Sequence, residues 1–251
     1  MITVRHKATG RELHAAEADT LAGASLPHAI LPRADLRNAD LRGADLRWAD
    51  LCQADLRGAR LDGAILEGAD LTFADIAGAS FARARMADAR LQAVCLGTEA
   101  PPRPAFRAAD LTRATLKNSN LAGADFGDAE LRRADLTRVD LRGANLAGAD
   151  LTDANLSHSN LGGADLGYAM LLNALLTEAD LRAAVLRHCD LSFAVLNGVR
   201  LGGADLEQAR FSRTVVARCP DLQQARGLDL EEALRSSVID LGNRPWAVPQ
   251  S

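Results

Sequence analysis

Apolar residues recur along this chain at every fifth position, most strictly from Ala34 to Gly58, which reads ADLRN ADLRG ADLRW ADLCQ ADLRG. On an α-helix a step of five turns the side chain by about 140°, which would smear Leu36, Leu41, Leu46, Leu51 and Leu56 around the cylinder. On a continuous strand an odd step would put successive leucines on opposite faces. The pattern therefore predicts neither element. It predicts a short extended piece that turns a corner and begins again.

Within each unit Ala and Leu are two residues apart, so in extended backbone both point inward while the Asp between them points out. The last two residues make the bend. The second of them is often Gly (Gly23, Gly43, Gly58, Gly203) or Asn (Asn38, Asn118, Asn173), the residues that best accept positive φ at the third position of a type II turn. Four such corners close a square coil of twenty residues, and coils stack at the inter-strand spacing of about 4.8 Å.

The unit of a small residue, Asp or Asn, Leu or Phe and two free positions resembles that of the pentapeptide repeat proteins. The resemblance implies an all-β fold, a right-handed quadrilateral β-helix. The frame holds from Leu21 to Leu96 and again from Phe106 to Val216, which predicts about ten coils and a rod of roughly 48 Å. Three regions are expected: a β-hairpin cap over 1–18, the β-helix over 19–216, and a cap and tail over 217–251, with a helix from about Leu230 to Ile239 after Asp229. The Pro-rich segment 97–105 breaks the repeat, and its candidate contact residues are Glu99, Pro101, Pro102 and Arg103. Counting by twenty through it stacks Leu66, Met86, Phe106, Phe126 and Leu146.

Composition narrows the function. The formal charge of −4 over 251 residues speaks against direct nucleic-acid binding, which usually needs a basic surface. Cys52, Cys95, Cys189 and Cys219 have no paired spacing, and the sequence shows no signal peptide or membrane-length apolar run. The expectation is a cytoplasmic protein with reduced thiols. His6 and His14 lie in the N-terminal segment, and His28, His158 and His188 at scattered outward corners. No ligand cluster for a metal or cofactor and no catalytic constellation emerges, and small and large inward residues should fill the core without a ligand cavity. Function is expected on the outer faces.

Three features there stand out. Sorted by twenty, Asp45, Glu67, Asp88, Asp125, Asp128, Asp165, Asp205 and Glu207 form a candidate acidic side, beside a positive one with Arg42, Arg60, Arg83, Arg103, Arg142, Arg182 and Arg200. Trp48, Phe73, Tyr168 and Phe193 occupy outward corners on two faces. Met170, Leu172, Leu175, Val185, Val195 and Val215 stand where polar residues belong, as a homodimer interface or the seat of the chain's own tail. These observations predict a non-catalytic protein-interaction scaffold rather than an enzyme or small-molecule binder. The resemblance adds an alternative, a DNA-mimicking protector of a type II topoisomerase, DNA gyrase or topoisomerase IV, against a poison, and with it a dimer contact at the C-terminal end.

Overall fold

The computed structural model of the protein describes residues 2–16, 20–96, 103–227 and 238–240. From Leu21 onward the chain is a right-handed quadrilateral β-helix, each side a single β-bridge long, joined by four-residue turns. Parallel bridges link residues twenty apart, as in Asp50 to Asp70 and Asn145 to Asp165.

Every backbone donor in a unit has a destination. Taking the five residues Asp50 to Ala54 as the example, Leu51 N–H donates to Asp70 C=O (2.8 Å) and Gln53 N–H to Thr72 C=O (2.8 Å), both on the next coil, while Asp50 N–H donates to Ala29 C=O (2.9 Å) on the previous one. Ala54 N–H closes the turn onto Leu51 C=O (3.0 Å). The fifth donor, Cys52 N–H, is taken by the Asp50 carboxylate (2.9 Å). Leaving such an amide unpaired costs about 1–3 kcal/mol. This explains the Asp or Asn of the repeat: its side chain points outward, as the alternation predicts, and then folds back on its own corner. The same bond recurs at Asp70, Asp110, Asn145 and Asn160.

The corner residue is left-handed throughout, and not only where Gly or Asn stands. Among the described residues twenty-six that are not glycine have positive φ, including Arg33, Trp48, Phe73, Tyr168 and His188. For such residues this conformation costs on the order of 1 kcal/mol each; the ladder above and below imposes it. At one corner glycine is required by its neighbour as well. The Trp48 indole lies on Gly68, so that a Cβ there would sit 2.1 Å from its ring carbons.

The interior is solid. Leu, Ile, Met and Phe at the central positions and Ala two residues before them are almost all buried, from Leu21 to Val216. Among the described residues three hydroxyls replace inward Ala, and each donates to a backbone carbonyl: Ser119 to Leu91 (2.7 Å), Ser159 to Leu156 (2.6 Å) and Thr214 to Leu191 (2.8 Å). Buried Cys189 also takes an Ala position, and burial pushes its thiol up to about 12.

The segment around 97–104 changes the register. Ser80 bridges Ala105 and Arg85 bridges Asp110, so this one coil takes twenty-five residues while keeping four corners. Counting by twenty therefore fails across it. Phe106 stacks on Phe81, not on Met86 (centroids 4.9 Å apart, planes at 3°), and Phe126 stacks on Phe106 (4.7 Å, 4°). That coil is longer than the others by one pentapeptide, in the stretch of sequence whose prolines cannot supply the ladder's amides. Of the candidate loop residues, Glu99, Pro101 and Pro102 lie outside the described residues. Arg103 folds back along the rod over Gly123.

Strands β1 (Ile2–His6) and β2 (Glu12–Ala16) form an antiparallel hairpin, and β1 also pairs antiparallel with β3 (Ala34–Asp35). The hairpin thus covers one side of the first coil, with Val4 buried. At the other end β4 (Val195–Asn197), β5 (Val215–Ala217) and β6 (Val238–Asp240) make a parallel sheet in that order. The helix expected over Leu230 to Ile239 is corrected at its end, where Val238 and Ile239 extend a ladder beside Val215 and Val216; 228–237 lie outside the described residues. A 3₁₀ turn, Leu222–Gln224, packs Leu222 on the core.

Candidate interaction faces

The bridges define four faces. Face 1 runs through Asp40, Arg60, Ser80, Ala105, Asp125, Asp165 and Asp205; face 2 through Ser25, Asp45, Arg85, Asp110, Glu130, Asp150, Met170 and Arg210; face 3 through Ile30, Asp50, Asp70, Asp135, Leu175, Val195 and Val215; face 4 through Asp35, Asp55, Asp75, Asp140, Asp180 and Arg200.

On these faces the candidate acidic side divides. Asp45, Glu67 and Asp88 belong to face 2 and its corner, while Asp125, Asp128, Asp165, Asp205 and Glu207 belong to face 1. The five extra residues of the coil between Ser80 and Ala105 displace the two halves by one side. Six of the eight carboxylates are also answered by arginine: Asp45 by Arg47 (2.6 Å), Glu67 by Arg85 (2.5 Å), Asp88 by Arg113 (2.6 Å), Asp128 by Arg107 (2.6 Å), and Asp205 and Glu207 by Arg187 (2.6 and 3.6 Å). Asp125 and Asp165 accept Gly127 and Gly167 N–H. The positive side divides likewise, with Arg42, Arg60 and Arg83 on face 1 and Arg142, Arg182 and Arg200 on face 4.

Like Asp45 with Arg47, other Asp residues hold the Arg two residues on by two parallel bonds, as in Asp40–Arg42 and Asp180–Arg182. The bonded guanidinium draws both Asp40 and Asp45 down to about 2, and Asp35, Asp140 and Asp180 fall for the same reason. A carboxyl lowered on folding adds stability above its unfolded value, about 3.9, and loses it as pH falls through its folded value. Thermal midpoints followed by circular dichroism should be flat from pH 8 to about 5 and fall between about 4 and 2. A midpoint that rises on acidification would contradict the pairing.

The exposed aromatics fall on three corners rather than two sides: Trp48 and Phe193 share the corner after face 2, Phe73 follows face 3, and Tyr168 follows face 1. Tyr168 stacks on His188 (4.6 Å, 10°), and Arg213 lies 5.7 Å above the Phe193 ring. Leu175, Val195 and Val215 do share a ladder, which β6 continues. Met170 and Leu172 stand on face 2 beside it and Val185 on face 1. Tyr168 (67% exposed), Met170 (45%), Leu175 (43%) and Phe193 (45%) make this region the richest in exposed apolar side chains. Sequence reasoning placed Tyr168 and Phe193 at outward corners but left both out of the patch, whose members were only aliphatic residues and Met standing at polar positions.

Recesses lie outside the prism, one under the hairpin among Thr3, Val4, Leu21 and Asp40, another among His188, Asp190, Gln208 and Arg210. His158 meets Glu178 (3.2 Å), and among the described residues no His, Cys, Asp and Glu converge as a metal site would need. No helix among them is long and apolar enough to cross a membrane.

Comparison with known proteins adds the family. Pentapeptide repeats (8 copies) match residues 21–58, 54–92, 109–148, 134–169 and 174–213, well over half of the chain. The chain is a pentapeptide repeat protein. Among solved structures it is similar to HetL, a pentapeptide repeat protein involved in heterocyst differentiation regulation from the cyanobacterium Nostoc sp. strain PCC 7120, at 32% identity over 79% of this chain and 90% of that one, with a TM-score of 0.43. It is similar also to QnrB1, a plasmid-mediated fluoroquinolone resistance protein, at 19% identity over 74% and 86% (TM-score 0.49). A third, AT2G44920 from the Arabidopsis thaliana thylakoid lumen, is 31% identical over 48% and 70% (TM-score 0.31). No curated protein matches the chain.

Proposed function

We propose that this pentapeptide repeat protein is a non-catalytic interaction scaffold of the cytoplasm that binds protein partners through its outer faces. The observation that carries this is the exposed apolar group around Tyr168, Met170, Leu175 and Phe193, on a rod whose interior is filled. Contiguous apolar surface on a water-facing protein usually marks a contact, and aromatic residues beside Arg are frequent anchors of one. Tyr168 and Phe193 hold left-handed backbone as well, where glycine would be the less costly residue.

The topoisomerase-protecting alternative depends on a sustained acidic side. The division of that side between two faces and the arginines on its carboxylates weigh against it. Immobilised protein exposed to a cell extract separates the readings when compared with a variant carrying Met170→Ser, Leu175→Ser, Tyr168→Gly and Phe193→Gly. The expected result is a specific partner retained by the parent and lost by the variant at an unchanged thermal midpoint. Equal retention by both would refute the apolar contact, and inhibition of DNA gyrase supercoiling at stoichiometric protein would support the alternative.

A further inference from the structure

We infer that face 2 pairs with the same face of a second copy of this chain, the two rods antiparallel. Along this face the outward column reads Glu130, Asp150, Met170, Asp190, Arg210, one residue per coil. Met170 is thus two rungs, about 10 Å, from Glu130 on one side and from Arg210 on the other. Both end residues are exposed, and among the described residues neither makes an ion pair; Arg132 feels the charge of Glu130 but is itself bonded to Asp150.

A two-fold axis lying in the contact and crossing the rod at Met170 lays this column on its own copy with the rungs reversed. Such an isologous contact brings each residue to the partner of its mirror rung. Met170 and Leu172 then meet their equivalents in an apolar centre, and Glu130 meets Arg210 of the other copy at both ends. Asp150 comes opposite Asp190. That pair meets with one charge already answered, because Asp150 is 7% exposed and held by Arg132 Nε. Next to Leu172 in its column stand Thr152 and buried Ser192, whose small side chains keep the face flat. No other register centred on this apolar pair places the unpaired acid against the unpaired base.

The proposal rests on the outer faces being contact surfaces, and its test uses pure protein alone. Sedimentation equilibrium of the full chain from about 1 to 100 μM should show a dimer that weakens with added salt. Met170→Asp should raise the dissociation constant at least tenfold without lowering the thermal midpoint. Glu130→Arg alone and Arg210→Glu alone should each be monomeric, since they set like charges against each other. Mixed in equal amounts they should form a heterodimer, because each then offers what the other lacks. A parent protein that stays monomeric at 100 μM overturns the inference. So does a dimer that the two charge reversals leave intact, or one that their mixture fails to restore. None of these outcomes touches the search for a foreign partner, which has its own control.

Discussion

Leu121→Asp should unfold the coils around it, whereas Ala122→Asp, one residue along the same turn, should leave the thermal midpoint within a degree or two. Leu121 is fully buried in mid-rod, and its N–H binds Asp140 C=O (2.8 Å) on the next coil. The substitution forfeits about 1.5–3 kcal/mol of burial and places a carboxylate among leucines, at a cost of several kcal/mol more. In a solenoid each coil is held chiefly by its neighbours, so the damage should spread along the stack in both directions. Ala122 is only half-buried, on the first residue of the turn, and surface changes there are worth about 0.5 kcal/mol or less. Urea unfolding and amide exchange check the pair, with protection lost near Leu96 and Leu141 in the first variant only. Equal tolerance of both would mean that the inward and outward positions had been exchanged.

Phe106→Ala is the second large effect. The ring lies between Phe81 and Phe126 in a parallel stack at the centre of the prism, and the fixed backbone ladder cannot collapse into the space it leaves. A loss of about 3–5 kcal/mol is expected, or roughly 10 °C or more in thermal midpoint for a chain of this size. Phe106→Leu should cost much less. The same residue tests the register across the loop. A double-mutant cycle between Phe81 and Phe106 should give a coupling of about 0.5 kcal/mol or more, while Met86 and Phe106, in different columns, should be nearly additive. The opposite result would restore an uninterrupted count by twenty.

That contrast shows how far reading the chain could go. Leu36, Leu41 and Leu46 announce their common interior by spacing alone, since only a backbone bent after each of them can bring them together. Local chemistry also names the outward Asp without saying what it does, because the bond from the Cys52 amide to Asp50 becomes visible only when the corner is built. The count places Trp48, Phe73 and Tyr168 at corners, but their left-handed backbone was illegible, because propensity favours Gly or Asn there and the ladder overrides it. Ser119, Ser159 and Thr214 look like flaws in the Ala column until their hydroxyls are seen to reach carbonyls.

The face assignments depended on something less local. Whether Asp88 and Asp128 share a side turns on whether 97–104 is counted within the coil, and pentapeptide spacing is identical in either case. The repeat by itself determined the fold, the filled core and the list of outward residues, because each follows from contacts within one coil and its neighbours. Only the tertiary structure decided which outward residues meet. It lengthened one coil by a pentapeptide, moved everything beyond it by a quarter turn, set arginines against the acids, and left Glu130, Met170 and Arg210 in a single column.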